Sequence, residues 1–87
     1  MGERVRVVMY TKPGCHLCEE AERILATVDC ADLFDLEIVN IERDEELRRQ
    51  YGEQIPVIFI GGIKAFKYRV DPREFCRKVR RLSARAR

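Results

Sequence analysis

The chain has 87 residues, 46% of them apolar and 37% charged, with four cysteines and no tryptophan. That is the length of one domain, here residues 1–87, too short for two cores and only just enough for one. Seventeen Lys and Arg against fifteen Asp and Glu leave a net charge of +2, too even a balance to mark nucleic acid or an anionic membrane as the main partner.

Met1 to Tyr10 leads straight into a strand-like apolar run, without the separate apolar region and small-residue cleavage site of a secretory signal. No stretch reaches membrane-spanning length, and Arg6 stands where a myristoylation signal after Met1-Gly2 needs Ser or Thr. A soluble, cytoplasmic protein is expected. In that reducing compartment four cysteines are expected to be catalytic or buried thiols rather than a disulfide framework.

Val5, Val7, Val8, Met9 and Tyr10 form a run apolar on both faces, the pattern of a strand inside a covered sheet. Lys12-Pro13-Gly14 breaks it. From Cys15, the apolar positions Leu17, Ala21, Ile24, Leu25 and Val28 fall at helical spacing, with Glu19, Glu20, Glu22 and Arg23 on the other face. Leu36 to Ile41 reads as a second strand, joined to the first through that helix and so expected to be parallel to it. Asp44 caps a short second helix with an acidic start, Glu45 and Glu46, a basic end, Arg48 and Arg49, and Gly52 as its stop.

Ile55 to Ile60 is the third strand, with Pro56 tolerable at its start because proline brings no N–H to the ladder. Gly61-Gly62 suits a tight hairpin into a fourth strand, Ile63 to Tyr68, whose Lys64 and Lys67 fit an exposed edge. Asp71-Pro72-Arg73-Glu74 has the residues of a capping box with proline at the first helical position, opening a last helix through Phe75, Cys76, Val79 and Leu82. The tail from Ser83 to Arg87 is expected to fray. The predicted order is β-α-β-α-β-β-α, a four-stranded mixed sheet flanked by helices.

Chemistry concentrates at Cys15-His16-Leu17-Cys18. A thiol at a helix N-terminus faces unpaired backbone N–H groups and the positive end of the helix dipole, which favour thiolate. Lys12 pulls the same way, as does His16 when protonated, while Glu19 and Glu20 oppose. Cys15 is expected at the exposed mouth of the helix. Cys18, three residues on, shares the inward face with Ala21 and Leu25. That geometry makes Cys15 the attacking thiol and Cys18 the one that resolves the mixed disulfide.

The same pair could instead be half of a zinc site, which needs four ligands. Cys30 and Cys76 are single, distant in sequence and without an evident activating partner, so both are read as buried, inert small hydrophobes, with a regulatory role left open for Cys30. Arg77, Lys78, Arg80, Arg81, Arg85 and Arg87 form a basic run without interleaved aromatics, read as a solvated helix face and not as a nucleic-acid site.

The element order, together with Tyr10 to Cys18 and Ile55-Pro56-Val57-Ile58-Phe59-Ile60-Gly61-Gly62, resembles the glutaredoxin-like family of the thioredoxin fold over roughly residues 4 to 82. The resemblance implies a thiol–disulfide oxidoreductase with a redox-active Cys15–Cys18 centre and no obligatory cofactor. It implies a cis Ile55–Pro56 bond facing the cysteines, with the Ile55 backbone pairing with an extended peptide or with glutathione. Lys12 matches a lysine that holds a glutathione carboxylate. After the fourth strand, where glutaredoxins usually carry Gly-Gly and acidic residues for the γ-glutamyl end, this chain has Lys67-Tyr68-Arg69-Val70-Asp71, and Leu17 replaces a common aromatic residue. Glutathione is therefore expected only as a weak co-substrate. The expected partners are a disulfide-containing protein substrate and a protein dithiol or thioredoxin-reductase-type electron donor, acting on a monomer. The competing readings are a metal or iron–sulfur module built on Cys15 and Cys18 and a non-catalytic adaptor.

Overall fold

The computed structural model describes residues 4–85. The readings that concern Met1-Gly2, Ala86 and Arg87 lie outside these residues. Strand β1 (Val5–Thr11) leads into helix α1 (His16–Thr27), then β2 (Phe34–Asn40), α2 (Glu45–Tyr51), β3 (Val57–Ile60), β4 (Ile63–Lys67) and α3 (Pro72–Arg85). The sheet order is β2-β1-β3-β4. β1 runs parallel to β2 and antiparallel to β3, and β3 and β4 form a hairpin. This is a thioredoxin-like α/β fold.

Alternation along the central strands divides the side chains between two faces. Val5, Val7, Met9, Ile58 and Ile60 join Leu25 of α1 and Phe75 and Val79 of α3 in the main core. On the opposite face, Tyr51 of α2 stacks on Tyr10 with ring centroids 5.0 Å apart and meets Phe59 edge-on at 5.9 Å.

Several boundaries differ from those expected. β2 begins at Phe34 rather than Leu36, because Phe34 is buried opposite Val5 and packs edge-on against Phe75 at 5.0 Å. Ile41 leaves the strand for a short 3-10 turn, Ile41–Arg43, and is buried. β3 starts at Val57, after the prolyl residue that lacks a ladder donor. β4 stops at Lys67 because Tyr68 adopts a left-handed φ of 68°, its N–H donating to the Pro56 carbonyl at 2.9 Å. Helix α3 continues past Ser83 to Arg85, where fraying was expected.

The capping box of α3 is half made. Asp71 Oδ1 accepts the N–H groups of Arg73 and Glu74 at 2.9 and 3.2 Å. Glu74 does not reach back to the cap; its carboxylate takes two hydrogen bonds from Arg77, at 2.7 and 3.0 Å, which hold its pKa below the usual carboxylate value.

The largest departure concerns Cys30 and Cys76. Both are buried, as their surroundings suggested, but they are not free thiols: they are joined in a disulfide that links the segment after α1 to the second turn of α3, with Cα atoms 5.6 Å apart. The spacing of 46 residues gave no local sign of it.

Candidate active site

β1 ends at Thr11, and Lys12-Pro13-Gly14 turns the chain into α1. Gly14 has a φ of +78°, and a Cβ there would meet nothing within 4 Å. The need for glycine is therefore conformational rather than steric. Cys15 does not open the helix as a helical residue. It is the extended N-cap, and its Sγ accepts the Cys18 N–H at 3.1 Å.

Cys15 and Cys18 form a disulfide, with Cα atoms 5.2 Å apart. Cys15 is half-buried and Cys18 is 2% exposed. The two sulfurs thus differ in access, and the outer one lies at the helix N-terminus, where backbone N–H groups converge.

Cys18 belongs to a second, small apolar cluster with Ile41 and Ile55, against which Tyr10, Cys15, Leu47 and Tyr51 pack. The Ile55–Pro56 peptide bond is cis. Tyr68 N–H donates to the carbonyl of Pro56 and, at 3.3 Å, to that of Gln54. These bonds bracket Ile55, whose own N–H and C=O take no part in them.

Lys12 is exposed and shares the wall of a shallow cavity of about 250 Å³ with Cys15, Cys18, Glu19, Glu22 and Asn40. His16 points away into solvent. Its imidazole is 97% exposed and lies 3.8 Å from Glu19, a pair too open to fix its position strongly. On the other side, Arg69 approaches Glu20 at 3.9 Å and brings the segment after β4 towards α1.

The structure therefore brings Cys15, Cys18 and Lys12 around one cavity and sets Ile55 against Cys18, while His16 stands apart. Sequence reasoning missed Ile41, Tyr10 and Tyr51 as neighbours of the pair. Ile41 had been placed inside a strand, and Tyr10 and Tyr51 meet only because α2 folds over β1. Among the described residues no group of three or more His, Cys, Asp or Glu is gathered to hold a metal ion.

A family model described as "Glutaredoxin-like domain (DUF836)" matches residues 6–80. No curated protein matches the sequence. The solution structure of protein Ne2328 from Nitrosomonas europaea is 31% identical, with a TM-score of 0.75, covering 90% of this chain and 94% of its own. The crystal structure of XcR50 from X. campestris is 24% identical, with a TM-score of 0.70, over 86% of this chain and 96% of its own. A thioredoxin from Malassezia sympodialis has the same fold at 16% identity, with a TM-score of 0.62, over 94% of this chain and 77% of its own.

Proposed function

This chain belongs to the glutaredoxin-like domain (DUF836) family, and from that premise we propose that it is a thiol–disulfide oxidoreductase that works by two-cysteine exchange. One observation carries the reading: a Cys15–Cys18 disulfide at the N-terminus of α1, with Cys15 partly exposed and Cys18 buried behind it.

In the reduced protein, the Cys15 thiolate attacks one sulfur of a substrate disulfide. The substrate S–S bond breaks, a mixed disulfide forms on Cys15, and the other substrate sulfur leaves as a thiolate that takes up a proton. Cys18 then gives up its proton and attacks Cys15 Sγ. The second substrate sulfur departs, and the Cys15–Cys18 bond holds the two electrons' worth of oxidation. An external dithiol, from a protein or a thioredoxin-reductase-type donor, reverses the sequence.

The chain's own groups assist at stated atoms. Cys18 N–H, already directed at Cys15 Sγ, is placed to donate to the sulfur when it carries charge, a stronger bond than to a neutral thiol. Ile55, with its N–H and C=O left aside by the Tyr68 bonds, offers a short backbone edge for an extended peptide, in the manner of strand addition. Lys12 supplies the positive charge beside the cavity for a carboxylate of glutathione, which we infer to be a weak co-substrate. No resident cofactor is needed for these steps.

The test is turnover of a protein disulfide by the full chain with dithiothreitol as donor, comparing the native protein with Cys15→Ser. Turnover that disappears in the variant upholds the reading. A native protein that leaves the disulfide intact, while binding zinc or an iron–sulfur cluster when purified without air, would replace it with the metal-handling one.

A further inference from the structure

The two disulfides differ in the access each gives to its outer sulfur, since Cys18 is as buried as Cys30 and Cys76. Cys15 is half-buried and lies at a helix N-terminus. Cys30 and Cys76 are 1% and 4% exposed, inside the main core beside Leu25, Phe34, Phe75 and Val79. No polar or charged side chain is buried among the described residues, so a thiolate on Cys30, which is off the crevice wall, would have no buried partner to hold it. From these settings we propose that Cys30–Cys76 is a permanent cross-link, closed to the reductants that cycle Cys15–Cys18.

Two obstacles act in series. A crevice of about 420 Å³ between the end of α1 and the start of α3 is lined by Cys76 and rimmed by Asp29, Arg73 and Arg80, but Cys30 is not part of its wall. A small thiolate therefore meets Cys76 Sγ first. Attack there forms a mixed disulfide on Cys76 and breaks the bond to Cys30, which must leave as a thiolate inside the apolar core. Desolvation disfavours that charge, and a high-pKa sulfur leaves slowly. A protein dithiol too large for the crevice does not reach the first step.

The cross-link must form before these barriers close. The thiols of Cys30 and Cys76 lose two electrons and two protons to an external disulfide, which departs as two thiols, while the chain is still folding and both sulfurs are open to exchange. The pairing stands independently of the proposed activity, because it concerns sulfurs that never meet a substrate.

The experiment follows each cysteine separately. Oxidised full-length protein is treated with dithiothreitol under native conditions, sampled over time, quenched in acid, alkylated under denaturing conditions and read by peptide mass spectrometry, with a parallel series reduced in guanidinium chloride. Cys15 and Cys18 are expected to label early, and Cys30 and Cys76 at least about tenfold more slowly unless the protein is unfolded. A Cys15→Ser/Cys18→Ser variant isolates the second pair. Its intact mass is expected to lie two hydrogen atoms below the all-thiol value and to stay there under native dithiothreitol. Equal labelling rates for all four cysteines, or free Cys30 and Cys76 thiols in the isolated variant, would overturn the proposal.

Discussion

Cys15 is both the N-cap of α1 and the sulfur proposed to attack, so a single substitution separates the two roles. Serine is a strong N-cap and a weak nucleophile. Cys15→Ser is expected to lose all disulfide turnover while its reduced form melts no lower than the reduced wild type, measured by a reductase assay and a thermal scan. Cys18→Ser is expected to keep the first half of the reaction and accumulate a mixed disulfide on Cys15, seen as a trapped adduct by mass spectrometry. Faster alkylation of Cys18 than of Cys15 at neutral pH would reverse the roles. For glutathione, the stretch that grips the γ-glutamyl end is replaced by Lys67 to Asp71, with Tyr68 in a left-handed turn. Losing two or three ordinary hydrogen bonds, at roughly 1 kcal/mol each, weakens binding about ten- to a hundredfold or more. The expected outcome is poor glutathione-coupled turnover beside a protein dithiol donor, and efficient glutathione turnover with a KM raised selectively by Lys12→Ala would refute it. The cysteine pair was legible because its chemistry depends on four consecutive residues and a helix start. Ile41 and Tyr51 were not legible as its neighbours, since their positions depend on a turn and on a helix docked across the sheet.

Helix α3 is where local signals were read most fully and still came out partly different. Asp71 caps it as its residue type predicts, and Asp71→Ala is expected to cost about 1 kcal/mol, measured by chemical denaturation of the oxidised protein. Glu74 chose Arg77, one turn on, over the cap's own N–H, because a paired guanidinium offers two charge-assisted bonds at once. Its pKa is lowered in the folded state by that hydrogen bond, so its contribution is present above the unfolded carboxylate pKa and is lost as pH falls through the folded one. The stability gap between wild type and Glu74→Gln should therefore close on acidification, and a gap that widened in acid would contradict the pairing. The pair is about half exposed, and the effect is correspondingly small. The order of elements along the chain and the number of helices were readable from periodicity and turn residues; the sheet order was not. The start of β2 was not, because Phe34 is drawn into the sheet by Phe75, a residue of the last helix.

At the scale of the whole molecule, the Cys30–Cys76 bond closes a loop of just over half the chain in a domain whose core is small. Cross-links of this span stabilise by about 2–4 kcal/mol. Cys30→Ala/Cys76→Ala is expected to lose that much, on the order of 10–25 °C in Tm, with turnover at Cys15 unchanged below the transition. A variant that melts with the wild type would mean that the bond adds nothing to the fold. Sequence alone left this feature out because a reducing compartment was expected, where Cys30 and Cys76 read as free buried thiols, and their meeting depends on α3 packing beside the end of α1. The stacked tyrosines have a consequence of another kind. With no tryptophan in the chain, its ultraviolet emission comes from Tyr10, Tyr51 and Tyr68, and two of these pack in the cluster that holds Cys15 and Cys18. Disulfides quench nearby phenol emission by accepting an electron from the excited ring, whereas thiols quench it less. The protein should brighten as Cys15–Cys18 is reduced, with the surface Tyr68 as a constant background, so that the unlabelled chain reports its own oxidation state in a cuvette.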